Sequence, residues 1–162
     1  MVMEACRLAE EGKSPAEIQT HLERVKHKIH TSFVVDSLDF LARAGQVSNR
    51  IASVTKSMMV KPVLVLKRGK MGVGNIYFGS RERVWKRYIN SVLRRPSAID
   101  KRCLFVTYVG ITQKDMDWIR ERVEKRMTFD KIYFQQASPV IAVNCGDGTF
   151  GLLIRDADSP LE

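Results

Sequence analysis

The chain has 162 residues, 44% of them hydrophobic and 28% charged, enough for one compact domain that buries roughly 70% of the surface its unfolded form exposes. No apolar run reaches the roughly 20 residues of a membrane span, and Glu4, Glu10 and Glu11 stand where a signal peptide needs a basic start, so a cytoplasmic protein without a transmembrane segment is expected. The formal net charge of +9 belongs to one segment: Lys61 to Arg102 holds twelve Lys or Arg against Glu82 and Asp100 only, a net of +10 that leaves −1 for the rest and asks for an anionic partner. Cys6, Cys103 and Cys145 are odd in number and far apart, as reduced thiols rather than a disulfide framework would be.

Glu4 to Glu11 reads as a short helix with Ala5, Leu8 and Ala9 on one side and Gly12 as its stop. Ser14-Pro15-Ala16-Glu17 opens a second helix, with Ser14 as N-cap, Pro15 at the first helical position and Glu17 closing a capping box; Ile18, Leu22, Val25 and Ile29 follow at helical spacing. Gly12-Lys13-Ser14 has the ending of a phosphate-binding loop, but Arg7 stands where that motif needs its first glycine. His21, His27 and His30 share the second helix without a cysteine or second carboxylate to complete a metal shell, so neither metal nor cofactor is expected.

Ser32 to Val35 reads as a strand. Ser37 caps a short helix with Leu38 and Leu41 inward that ends at Gly45, and Ser48 caps another through Ala52, Val54 and Thr55. Val60 to Leu66 is a buried strand in which Pro62 marks the beginning or an edge position, and the Arg68-Gly69 turn signal returns Met71 to Phe78 antiparallel to it. A helix from Ser80 to about Arg94 carries Val84, Trp85, Tyr88, Ile89 and Val92 on its apolar side. Arg81 and Arg83 fall in its first turn, where the helix dipole disfavours cations. A bound anion or acidic partner would remove that conflict, which makes Arg81, Arg83, Lys86 and Arg87 a candidate anion or partner surface; a plainly solvated face is the bland alternative.

Arg102 to Val109 is an apolar strand, Thr112 to Asp115 caps a helix with Met116, Ile119, Val123 and Met127 inward and Trp118 off that line, and Lys131 to Gln135 is a further strand. The chain then runs through Val140-Ile141-Ala142-Val143, the polar and glycine-rich corner Asn144-Cys145-Gly146-Asp147-Gly148, and Leu152-Leu153-Ile154. Gly146, Gly148 and Gly151 spell a dinucleotide fingerprint in form, yet no helix-length segment follows. Two apolar runs around a glycine corner predict strand, turn and antiparallel return. The whole order predicts an α/β fold with a mixed β-sheet flanked by helices, ending in a glycine-rich β-hairpin.

Four features in sequence order resemble the second domain of the DegV proteins, which bind fatty acids in bacteria: Leu38-Asp39-Phe40-Leu41-Ala42-Arg43-Ala44-Gly45-Gln46-Val47-Ser48, Val60-Lys61-Pro62-Val63-Leu64, the basic helix after Ser80-Arg81, and Asn144-x-Gly146-Asp147-Gly148-x-x-Gly151. Leu161-Glu162 reads as a cloning scar; the resemblance covers essentially the whole chain and implies a single lobe over residues 1–160, with the family's smaller first domain, which carries a serine- and threonine-rich carboxylate loop, missing. It also implies that Asn144, Cys145, Gly146, Asp147 and Gly148 lie at the fatty-acid head group, and Gly45, Gln46, Ser48, Lys61 and Pro62 near the pocket. In the family the closing motif is His-x-Gly-Pro-Gly and the earlier one Gly-Gly-Arg-Ile-Ser. Asn144 stands at the histidine position and Gln46 at the arginine position, so two potential positive charges are replaced by amides.

The resemblance implies a long-chain fatty acid as ligand and a separate fatty acid kinase as partner that phosphorylates the carboxylate, so the chain is expected to bind rather than catalyse. The residues agree, since no Ser-His-Asp or Cys-His arrangement and no paired acid and base stand out. The alternative is a basic nucleic-acid- or phosphate-binding module built on the +10 segment. Nucleic acid would want exposed aromatics, whereas Tyr77, Phe78, Trp85 and Tyr88 read as core, which ranks it below lipid.

Overall fold

The computed structural model describes residues 1–36, 43, 45, 60–67 and 69–157. It opens with two packed helices, α1 (Val2–Glu10) and α2 (Pro15–Val25). The capping box of α2 forms as its residues demand: Ser14 N–H donates to Glu17 Oε2 at 2.8 Å and Glu17 N–H returns to Ser14 Oγ at 3.4 Å. The helix stops at Val25. A 3-10 turn over Lys26–Lys28 follows, and Ile29 starts β1 (Ile29–Val34) instead of closing the helical stripe. Ile29 and Thr31 are β-branched, and pairing with two neighbouring strands outweighs one more helical turn.

β1, β2 (Val60–Lys67), β3 (Lys70–Phe78), β4 (Cys103–Val109), β5 (Lys131–Gln136) and β6 (Thr149–Arg155) form one sheet in the order β3-β2-β1-β6-β4-β5. Every neighbouring pair is antiparallel except β4 and β5, which α4 (Gln113–Glu124) connects as a parallel crossover. With α3 (Arg81–Val92) it covers one side of the sheet: Val84, Trp85, Tyr88 and Ile89 of α3 and Ile119 and Val123 of α4 share a core with Val34, Val63, Leu104, Val106, Phe150 and Leu152. The fold class is the expected mixed sheet with flanking helices. The two helices expected between residues 37 and 55 fall mostly outside the described residues.

Three further expectations need correcting. Pro62 is neither at a strand start nor on an edge, since β2 lies between β3 and β1. Its carbonyl accepts from Val35 N–H at 3.1 Å just past the end of β1, so its missing N–H falls on the side where the ladder has stopped. Phe78 is not core but 61% exposed, because strand alternation turns Tyr77 toward the helices and Phe78 away from them; Trp85 and Tyr88 are core as expected. The closing stretch is not a β-hairpin. Pro139–Cys145 is a helix, α5, with Ser138 in the extended conformation of an N-cap, Pro139 at the first helical position and Gly146 N–H donating to Ala142 O at 2.9 Å. Leu152 to Arg155 are a strand as expected, but the flanks of β6 are filled by β1 and β4, so an arm before the glycines has no edge to join.

At the sheet edge where β4 begins and β6 ends, Glu4 ties α1 to the strands: its carboxylate lies 3.2 Å from Arg155, 3.3 Å from Arg102 and 2.9 Å from His21. Burial alone would raise its pKa. The hydrogen bonds from Arg7 and His21 and the fields of Arg102 and Arg155 outweigh that and hold the carboxyl at about 2, down from an ordinary 4.5. A depressed pKa contributes stability that is complete above the unfolded value and lost as pH falls through the folded one. Glu4→Gln is therefore expected to be less stable than the wild type at pH 7, with the gap closing between pH 4.5 and about 2. Denaturant unfolding at a series of pH values measures this; a gap that stays constant over the window would show that the charge of Glu4 is not what anchors α1.

Candidate functional site

β1 is antiparallel to both β2 and β6, and β6 to β4, so the ends of β1 and β4 and the beginnings of β2 and β6 meet at one edge of the sheet. This edge gathers much of what the sequence marked. Gly148, with φ 77°, donates its N–H to Val109 O at 2.9 Å, and a Cβ there would stand 3.2 Å from the carboxylate of Asp36 just beyond β1. Asp36 in turn holds Lys61: Nζ is 3.2 Å from Oδ1 and donates to the backbone oxygen of Asp36 at 3.3 Å. Lys61 is only 9% exposed. Asp147 lies over Gly110, where a Cβ would come within 2.6 Å of Asp147 Oδ1, so the corner leaves space for that side chain only because residue 110 has none.

The rest of the corner is occupied by its own structure. Asn144 donates one amide N–H to Val140 O at 2.8 Å, within α5. Cys145 is buried, its carbonyl accepts from Thr149 Oγ1 at 3.0 Å, and burial pushes its thiol pKa up, the opposite of what a nucleophilic cysteine needs. Of the three histidines expected in the second helix only His21 lies there, His27 being in the 3-10 turn and His30 in β1; His21 and His30 bond Glu4 and Asp156 at the far edge of the sheet. Pro62 is buried beside Lys61, and Gly45 has the positive φ of 69° that a helix stop takes. Gln46 and Ser48 lie outside the described residues. Among the described residues no group of three or more His, Cys, Asp or Glu is placed to hold a metal ion.

Arg81 stands at the same edge, at the start of α3, and its anion is internal. The guanidinium lies 4.1 Å above the Trp85 ring, and Nη2 is 3.0 Å from Asp115 Oδ2, the carboxylate that also closes the capping box of α4 on Thr112. Burial raises the Asp115 pKa, but the Thr112 hydroxyl and Arg81 bring it below the usual carboxylate range. The dipole conflict that pointed to an external anion is thus relieved by a side chain 34 positions away, although Arg81 itself stays exposed. Arg83, Lys86 and Arg87 remain exposed. Sequence reasoning missed Asp36 and Gly110; the signal for Asp36 was an acid directly after the buried pair Val34-Val35.

The architecture defines an α/β lobe whose glycine-lined corner at a sheet edge holds the buried Lys61 and the carboxylates of Asp36 and Asp147. The chain belongs to the DegV family: the model of that family, whose description is "Uncharacterised protein, DegV family", matches residues 1–156. A DegV domain-containing protein of Clostridium acetobutylicum is 26% identical over 159 residues, which are 96% of this chain and 55% of that protein. Among solved structures, a fatty-acid-binding DegV family protein from Thermus thermophilus is 26% identical with a TM-score of 0.79, over 96% of this chain and 55% of that one. The fatty acid kinase (Fak) B3 protein of Streptococcus pneumoniae, solved with linoleic acid, shares the fold at a TM-score of 0.81 and 15% identity, over 95% of this chain and 54% of that one. The chain therefore spans about half the length of the relatives it matches. No helix among the described residues is long and apolar enough to cross a membrane.

Proposed function

We propose that this chain binds a long-chain fatty acid, with the carboxylate at the glycine corner, and presents it to a separate kinase in the cytoplasm without itself catalysing a reaction. The observation that carries this reading is the fatty-acid-binding relative from Thermus thermophilus, similar in sequence and backbone along 96% of the chain. The corner supplies the chemistry. An ammonium has three N–H donors; among the described residues Lys61 gives one to the backbone oxygen of Asp36 and forms an ion pair with its carboxylate, and it supplies the cation for a ligand carboxylate where neither Asn144 nor Gln46 provides one. Asn144 adds its second amide N–H. The buried, raised thiol of Cys145 supports a binding rather than a catalytic corner.

Native mass spectrometry of the purified protein and displacement of a fluorescent fatty acid by palmitate test the proposal. Saturable displacement is expected, and its absence would overturn the fatty-acid reading. Lys61→Met keeps the length of the side chain and removes the charge; loss of one charge-assisted hydrogen bond is expected to weaken palmitate about tenfold or more. Unchanged affinity in a variant of unaltered melting temperature would remove Lys61 from the site.

A further inference from the structure

The opposite edge of the sheet carries a cleft of about 720 Å³, framed by the C-terminal end of α3, the loop that follows it, and the outer ends of β1, β2 and β6. Lys67, Arg94 and Arg95 line it together with the hydroxyls of Ser91 and Ser97, and Val65, Val92 and Ile99 form its apolar part. Two of these cations sit just past α3, where the negative end of the helix dipole suits them, and that would explain one arginine in solution. It does not explain three cations around one concavity. No hydrogen bond or ion pair joins the side chains of Lys67, Arg94 or Arg95 to another described residue, and the one acid of the lining, Asp156, is held by His30 at 2.8 Å. Three cations of the +10 segment thus stand around one concavity without a partner among the described residues.

We propose that this cleft is a second ligand site that takes a phosphomonoester carried on a short apolar body. A carboxylate has a single charge and two oxygens. A phosphomonoester at neutral pH carries about −1.5 to −2 and three acceptor oxygens, which matches two guanidinium forks, one ammonium and two hydroxyls. The apolar wall beside them gives the ester group a place out of water. This site lies across the sheet from the glycine corner and does not depend on fatty-acid binding there.

Hexyl phosphate titrated into the full chain by calorimetry tests the site, and saturable binding is expected. The double substitution Arg94→Gln, Arg95→Gln should weaken it about tenfold or more. Lys114→Gln with Lys131→Gln removes the same charge from exposed positions outside the cleft and should leave the affinity within about twofold. Lys67→Gln gives an independent reading from another element. Inorganic phosphate and hexanoate should each bind at least about fivefold more weakly than hexyl phosphate. Equal losses in the two double variants would reduce the effect to net charge, and absent binding, or hexanoate or inorganic phosphate binding as tightly, would overturn the proposal.

Discussion

Replacing Gly151 by alanine is expected to destabilise the protein by about 3 kcal/mol, a fall in melting temperature of about 6–12 °C for a chain of this size. Gly151 lies in the middle of β6, opposite Phe33 of β1 and Thr107 of β4. A Cβ there would stand 2.7 Å from the backbone oxygen of Ser32 and 2.9 Å from Phe33 Cβ. Neither contact can be relieved by turning a flexible side chain, so β6 must move away from β1 and strain its ladder. Alanine also stiffens the unfolded chain, an opposing effect of about 0.4–1 kcal/mol that is too small to compensate. Gly72→Ala is the reference, because on β3 the added Cβ meets nothing within 4 Å; its effect should stay within about 0.5 kcal/mol. Denaturant unfolding of both variants decides, and equal effects would refute the close approach of β6 to β1 as the reason for the glycine.

Tyr88→Phe is expected to be comparably damaging, by about 3 kcal/mol, although it removes a single oxygen. The hydroxyl of Tyr88 reaches the seam between β1 and β6 at the register pair Ser32 and Leu152, where it donates to Ser32 O at 2.6 Å and accepts from Leu152 N–H at 3.0 Å. Phenylalanine leaves both backbone groups without this bridge in the interior. Burial pushes the phenol pKa up from 10.0, outweighing the bonds to Ser32 and Leu152, so the neutral form is the one the fold holds. The difference between wild type and variant should be constant below pH 10 and narrow above it, where the unfolded tyrosine ionises and the folded one does not. Tyr133→Phe, on a ring stacked 5.0 Å from Phe105, is the reference for loss of a hydroxyl outside the seam. A Tyr88 variant no less stable than that reference would mean that the strands pair as well without the bridge.

Local chemistry made much of this fold readable in advance. The capping boxes at Ser14 and Thr112 join residues three apart, and the turn after Arg68 sends β3 straight back along β2, so no distant partner enters either decision. The ordered motifs that resemble DegV proteins also lie in the sequence, and the family model covers residues 1–156. Two readings failed because the outcome depended on something remote. Val140-Ile141-Ala142-Val143 has the composition of a strand, and its neighbours Ser138 and Pro139 have the pattern of a helix start; the helix prevails because both flanks of β6 are taken, and Val140 and Val143 remain 74% and 72% exposed. Phe78 looked like core until the register placed it on the outer side of an edge strand.

The candidate site divides in the same way. The sequence alone determined that glycines and polar groups cluster at residues 144–148, that Lys61 lies in a buried strand opened by Val60, and that the positive charge is concentrated between Lys61 and Arg102. Tertiary structure alone decided that Asp36 holds Lys61 next to Gly148, that Asp115 neutralises Arg81, and that Lys67, Arg94 and Arg95 surround one cleft. Hydrogen bonds and charges act over a few ångströms, and what brings residues 36, 61 and 148 within that distance is the direction and order of the strands that carry them. That order is set by the packing of a whole sheet against its helices, which no window of the sequence contains.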